Sequence, residues 1–256
     1  MKAKGDSMLL YGKNSVLERL KAKPKSIRRI FLHNNFEMPI IKNLVKQNNI
    51  PVEHLSFREL CKIKRDQNLQ GIIAEVERFV YSPFGELLNQ AQNKKPTFIF
   101  LNKIFDPQNL GGIIRTAACF GGFAIVIPKF KACAVNETVL HVASGGENYI
   151  SVSRVSNLSN AIISVKKYGY WIAGAVVAED ADDLNSVSLP FPLGLVLGSE
   201  GKGIQYAVQK HLDIKMRIPM KGANLSFNVT GACAILCYEI AKQRSDVYEK
   251  QEAKIS

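Results

Sequence analysis

The side chains suited to chemistry fall in three separated stretches. The first runs Asp106-Pro107-Gln108-Asn109-Leu110-Gly111-Gly112-Ile113-Ile114-Arg115-Thr116, and Arg115 is the only charge between Asp106 and Lys129. A guanidinium in a helix of Ile, Ala, Cys, Phe and Gly is expected to be desolvated, which is costly unless the group is paired. It is thus either half of a structural pair with a buried carboxylate or a functional cation. Asn109 can cap the helix, but the two glycines after it suggest close approach of the backbone to something else. The second stretch, Leu193 to Ile204, is an apolar strand ending in a loop whose glycines (Gly198, Gly201, Gly203) surround one carboxylate, Glu200. Ligands of parallel α/β sheets collect at such strand ends. Walker spacing is absent and no Gly-x-Gly-x-x-Gly follows a first strand, so a dinucleotide oxidoreductase is poorly supported. The third stretch holds seventeen uncharged residues, Gly222 to Tyr238, interrupted by Asn224, Ser226, Asn228 and Thr230. Its amides and hydroxyls can bind a polar ligand beside an apolar helix. Taken alone, a buried helix with a polar N-cap explains it as well.

Elements must bring these stretches together. Ile218-Pro219-Met220 reads as a strand end entering a turn, and a helix is expected from about Asn228, with Thr230, Ala234 and Tyr238 spaced by four. Thr97–Leu101, Ala124–Ile127, Trp171–Val177 and Leu193–Leu197 read as strands, each followed by helix-compatible sequence, which predicts a parallel sheet with crossover helices. Upstream, helices at Val16–Leu20, Met38–Asn48 and Phe57–Lys64 alternate with strands at Ile27–Leu32, Val52–Leu55 and Gly71–Val76, a small α/β unit. The expected division is 8–79 as one domain, 80–95 as a linker with one short helix, 96–244 as a second domain, and 245–256 as a frayed polar tail.

At 256 residues and 28.4 kDa the chain can bury one large or two medium cores. Its charge is +12, and residues 1–79 hold 16 basic against 8 acidic side chains. Such asymmetry favours a polyanionic partner, most simply nucleic acid. Lys21, Lys23, Lys25, Arg28 and Arg29 form one basic cluster and Lys62, Lys64 and Arg65 another, and phosphate contact uses both economically. No run reaches membrane-spanning length and the first twenty residues lack a secretory core, which places the protein in the cytoplasm. The five cysteines form no Cys-x-x-Cys and the four histidines are scattered, so reduced core thiols and no metal are expected.

In this order the three stretches resemble the SpoU (TrmH-like) family of RNA ribose 2′-O-methyltransferases of the SPOUT superfamily. The matching motifs are Asn109 with Arg115, then Gly198-Ser199-Glu200-Gly201 with Gly203-Ile204, then Ile218-Pro219-Met220 with Leu225-Ser226-Phe227-Asn228-Val229-Thr230. The likeness covers residues 96 to 243. Leu10-Tyr11-Gly12, Gln70-Gly71-Ile72 and the basic clusters make residues 8–79 similar to the substrate-binding domain of RlmB-type 23S rRNA guanosine methyltransferases. Phe227 stands where the family usually has Leu, Thr230 where it has Ser, and Asn148 where relatives often carry Glu. The resemblance implies a deep trefoil knot and a homodimer whose active site is completed across the interface. It also implies S-adenosylmethionine held by Gly198, Glu200, Gly201, Ile218, Met220, Phe227 and Asn228. It makes Arg115 the activating residue, with Asn109, Glu200, Ser226 and Asn228 positioning it and the ribose. The expected target is a guanosine of 23S rRNA. The alternatives are a tRNA ribose methyltransferase, a non-catalytic RNA-binding protein, or another α/β transferase acting on a nucleotide or small metabolite.

Overall fold

The computed structural model describes residues 7–199, 201–222 and 225–252. The chain divides into two compact units, residues 1–80 with 135–149, and residues 81–134 with 150–256.

In the first unit, strands β1 (Ser7–Tyr11), β2 (Ile27–His33), β3 (Val52–Leu55) and β4 (Ile72–Glu77) form a sheet of order β1-β4-β2-β3. β4 runs antiparallel to both neighbours and β3 parallel to β2. Helices α1 (Lys13–Ala22), α2 (Pro39–Gln47) and α3 (Phe57–Ile63) connect them. Pro39 opens α2, where the missing N–H costs nothing, and Ser56 with Glu59 builds a capping box at α3. Segment 135–149 completes this unit. Glu147 and Arg19 form a buried ion pair at 3.0 Å, Leu9 N donates to Glu137 Oε1 at 2.8 Å, and the His141 ring stacks on Tyr11. Gly12 adopts φ +91°, and a Cβ there would stand 3.2 Å from the His141 ring.

The second unit begins with α4 (Phe84–Ala91), inside the stretch expected to be a linker. Strand β5 (Thr97–Leu101) leads to α5 (Pro107–Phe120), then β6 (Phe123–Pro128). Helix α6 (Glu137–Ala143) belongs to the first unit. There follow β7 (Ser151–Val155), α7 (Leu158–Lys166), β8 (Trp171–Ala175), β9 (Asp182–Asp183), β10 (Leu193–Leu197), α8 (Tyr206–Gln209), β11 (Ile214–Arg217) and α9 (Val229–Glu252). The sheet order is β7-β6-β5-β10-β8-β11-β9 and every pairing is parallel. All five residues of both β5 and β10 are buried, as strands covered on two faces must be. Phe98 and Phe100 pack toward α4 and α7 with Leu87, Ile162 and Val165, so Ile99 and Leu101 face the opposite layer.

α5 and α9 pack closely in this unit. A Cβ on Gly112 would lie 2.7 Å from Thr230 Cγ2, so the glycine expected to permit close approach does so to a neighbouring helix. At the far end of α5 the Arg244 guanidinium donates to the Gly121 and Gly122 carbonyls at 2.9 and 2.6 Å. The Gly121 carbonyl is one that the end of α5 leaves open, and the Gly122 carbonyl also accepts from Thr97 N at 2.9 Å. Helix α9 extends past Arg244 to Glu252.

Candidate active site

The carboxyl ends of β8, β10 and β11 surround a cavity of about 890 Å³ lined by Ala175–Ala178, Leu197–Ser199, Gly201–Ile204, Lys215–Lys221, Ser226 and Phe227 among others. The loop after β10 is built around Gly198, because a Cβ there would fall 2.2 Å from Gly203 C and 2.4 Å from Ile204 N. Both obstructing atoms are backbone, so no side-chain movement could relieve the clash. Ser199 N donates to Gly203 O at 3.2 Å and Gly203 N returns the bond to Ser199 O at 2.9 Å. Gly201 and Gly203 turn the loop at φ +77° and +60°.

Sequence reasoning missed what fastens this loop. Asn102, at the exit of β5, is buried, and its Oδ1 accepts from Gln205 N at 2.8 Å. Its own backbone N donates to Leu197 O at 2.8 Å. A lone amide directly after a five-residue apolar strand was the available signal, since such a group needs a partner if buried. Also unforeseen was Asp183, whose Oδ1 accepts from Arg217 Nε at 2.6 Å and ties β9 to β11 at the cavity wall.

Of the expected cofactor residues, Gly198, Gly201, Ile218, Met220 and Phe227 all line this cavity, with Ser226 beside them. Glu200 and Asn224 lie outside the described residues. Asn228 works at the start of α9, where its Oδ1 accepts from Thr230 N at 2.7 Å and its Nδ2 donates to Asn109 Oδ1 at 3.1 Å. One amide therefore caps α9 and holds it to the first turn of α5. Asn109 is not the cap of α5. That role falls to Asp106, which accepts from Gln108 N at 2.8 Å.

Arg115 departs from expectation, because it is exposed rather than desolvated. The stripe of α5 facing the core is Leu110, Ile113, Ile114 and Ala117, and Arg115 lies off it. Asn109, Gly112 and Arg115 follow one i, i+3, i+6 row, whose first two members meet the start of α9. Arg115 stands one turn further along and is not a wall of the cavity. Near it Cys119 is exposed and Phe120 partly so, and Phe120 meets the ring of Tyr238, which is 60% exposed. The two cysteines of α9 differ from Cys119 of α5. Cys233 and Cys237 are buried with sulfurs 3.7 Å apart, and that contact, with burial, pushes the Cys233 thiol well up.

In the first unit the basic residues divide. Lys21 pairs with Glu18, Arg28 and Arg29 with Glu75, and Lys64 with Glu137. Lys23, Lys25, Lys62 and Arg65 are exposed. Among the described residues no group of three or more His, Cys, Asp or Glu could hold a metal ion, and no helix is long and apolar enough to cross a membrane.

A parallel α/β sheet with a mixed apolar and basic cavity over its strand ends places the second unit in the open-sheet α/β class, whose ligands gather at that edge. Comparison with known proteins carries the identification further. Residues 96–238 match the SpoU rRNA Methylase family, and residues 9–82 match the family of RNA 2′-O ribose methyltransferase substrate-binding domains. An uncharacterized tRNA/rRNA methyltransferase of Synechocystis is 37% identical over 92% of this chain, which spans 62% of that relative. A Bacillus subtilis protein, YacO, named for the TrmH family of tRNA/rRNA methyltransferases, is 33% identical, covering 93% of this chain and 96% of its own. The SpoU methyltransferase AviRb of Streptomyces viridochromogenes, solved with AdoMet, superposes with a TM-score of 0.77 at 18% identity, covering 95% of this chain and 92% of that one. The chain belongs to the SpoU/TrmH family of S-adenosylmethionine-dependent RNA methyltransferases.

Proposed function

We propose that this protein methylates a ribose 2′-hydroxyl of RNA, a guanosine of 23S rRNA, using the cavity at the ends of β8, β10 and β11 for S-adenosylmethionine. The observation carrying this is the convergence on one cavity of the glycine loop 198–203 and the segment Ile218–Phe227, which are separate in sequence. Its volume is that of a ligand site, with apolar walls and a few polar groups. When bound, the cofactor supplies a methyl carbon on a sulfonium, ready for in-line displacement by the 2′-oxygen.

The protein must orient the acceptor ribose and manage the charge that develops on its oxygen. A guanidinium keeps its proton at neutral pH and is a poor base, so Arg115 is assigned the developing alkoxide and the neighbouring phosphate. Asn109 and Asn228 act by holding the starts of α5 and α9 together, which sets where the Ser226–Phe227 turn meets the cavity. Glu200 and Ser226 are assigned to positioning the ribose.

The exposed position of Arg115 beside Cys119, Phe120 and Tyr238 favours a homodimer in which this face meets a second chain and Arg115 serves a shared site. The family likeness supports a trefoil knot formed by the C-terminal segment. The exposed Lys23, Lys25, Lys62 and Arg65 are assigned to RNA phosphates, and the five cysteines without disulfides suit the cytoplasm. A tRNA target is the second reading, because the names of the relatives give tRNA and rRNA together.

Mapping 2′-O-methyl groups in RNA from cells with and without the gene separates the two targets. In purified protein, Arg115→Ala is expected to abolish methyl transfer while calorimetry still registers S-adenosylmethionine. Wild-type turnover in that variant removes Arg115 from the mechanism, and no cofactor binding by the native protein removes the whole reading.

A further inference from the structure

The loops leaving β5 and β6 carry a feature that cofactor binding does not use. Phe105 is 59% exposed and Phe130 is 72% exposed, on neighbouring strands of one parallel sheet. A phenylalanine left largely in water forgoes the gain of burying it, so two on adjacent loops invite an explanation.

These loops are held firmly. Cys133 N donates to Ile104 O at 2.8 Å, joining one loop to the other, and Ile104 is buried beneath them. Lys103 and Lys131 sit in left-handed backbone conformations at φ +61° and +55°, which few residues other than glycine adopt without support. Arg154 donates to Lys129 O at 2.9 Å and lies over the ring of Tyr81 at 5.0 Å, fixing the root of the second loop.

Their charge is one-sided. Lys103, Lys129 and Lys131 flank the two rings, and Lys129-Phe130-Lys131 sets a cation on each side of a phenyl group. The one carboxylate of the two loops, Asp106, accepts a hydrogen bond from the first turn of α5. Exposed rings beside cations on loops with a fixed backbone match the stacking surfaces that take single-stranded nucleic acid.

Position supports the same use. β5 lies between β6 and β10 in the sheet, so both loops emerge at the end that carries the cavity. The exits of β5 and β10 are joined by Asn102 N to Leu197 O at 2.8 Å. At about 4.8 Å per strand, β6 is roughly 10 Å from β10, within the span of a short oligonucleotide.

We propose that Phe105 and Phe130, with Lys103, Lys129 and Lys131, form a stacking platform in the catalytic unit that holds the unpaired RNA strand next to the nucleotide being methylated. The proposal rests on the reading above that the β10 cavity holds the methyl donor, and it adds an RNA contact outside the basic clusters of the first unit.

The test uses the full chain, a fluorescent single-stranded oligouridylate and S-adenosylmethionine. Phe105→Ala and Phe130→Ala are each expected to weaken oligouridylate binding about tenfold, with an unchanged salt slope and unchanged cofactor affinity. Phe→Trp at either position restores binding and Phe→Leu does not, because stacking needs the π face and not apolarity alone. Lys129→Gln with Lys131→Gln makes the slope of log affinity against log salt shallower by about 1.4. Binding within twofold of wild type in both alanine variants overturns the platform. So does a fall in sedimentation mass on Phe→Ala, which assigns the face to a second copy of the chain. Failure of the native protein to bind the cofactor refutes the functional reading instead, and that measurement is made first.

Discussion

Replacing Gly198 with Ala tests the loop on which the cavity depends. The added methyl would lie 2.2 Å from Gly203 C, 2.4 Å from Ile204 N and 2.5 Å from Gly203 O. Ordinary contact distance exceeds these by more than an ångström, and the blocking atoms are main chain, so the two limbs of the loop must separate. Separation removes both hydrogen bonds between Ser199 and Gly203. At about 1 kcal/mol each the closed loop loses about 2 kcal/mol, close to thirtyfold in population. Gly198, Ser199, Gly201, Lys202 and Gly203 all line the cavity, so cofactor affinity should fall by the same factor. Isothermal calorimetry reads it, with Gly222→Ala as the control, because a Cβ at Gly222 meets nothing within 4 Å. A folded Gly198→Ala protein with the wild-type Kd for S-adenosylmethionine refutes the claim that this closed loop is the cofactor seat.

Two places in the packing carry further tests. Asn102→Ala strands the Gln205 N–H and should weaken cofactor binding about tenfold, whereas Gln205→Ala keeps that N–H and should cost little, as calorimetry on both will show. In the first unit, Glu147→Leu alone leaves Arg19 buried without its partner and should cost about 3–5 kcal/mol in urea unfolding. Arg19→Met with Glu147→Leu should recover most of that loss. Burial raises the Glu147 carboxyl above its ordinary 4.5 by more than Arg19 lowers it. Its folded state therefore holds the proton longer than the unfolded one. The associated stability is present below pH 4.5 and lost as pH rises through the folded value. The double variant should lack that component, measured as urea midpoints from about pH 4 to about pH 7.

How legible the chain was depended on how plainly the residue types of an element mark it, not on burial alone: β3 is exposed along most of its length and β7 is mostly buried. Val52–Leu55, Thr97–Leu101 and Leu193–Leu197 have the boundaries expected from sequence. The last two are apolar at almost every position because both faces are covered. β7, Ser-Val-Ser-Arg-Val, was not anticipated, and of β11, Ile-Lys-Met-Arg, only the end running into Ile218 was. Each alternates polar with apolar over too few residues to stand out. Ser153 is fully buried although its type suggests the surface. The site was legible where backbone constraint shows as glycine, as at Gly198. Arg115 was misjudged because an uncharged helix was taken for a buried one, whereas α5 is apolar on an outward face as well. A face that meets a second chain leaves the same mark on a sequence as a face that meets the core.

Segment 135–149 shows why a domain read from contiguous sequence is an unsafe unit for experiment. It lies within the stretch that matches the methylase family, yet it packs with the first 80 residues. A deletion of residues 1–79 removes Arg19, Leu9 and Tyr11, and so strips Glu147, Glu137 and His141 of the groups they bond or stack on. Loss of RNA binding in that truncation would mix the loss of phosphate contacts with the cost of exposing or orphaning these side chains. Charge reversal at exposed positions is the cleaner perturbation. Lys23→Glu, Lys25→Glu, Lys62→Glu and Arg65→Glu together leave the Arg19–Glu147 pair in place. They should weaken RNA binding with a shallower salt dependence and leave cofactor affinity and unfolding midpoints near wild type. Undiminished RNA affinity in that protein would show that the basic excess of the first unit serves something other than the substrate.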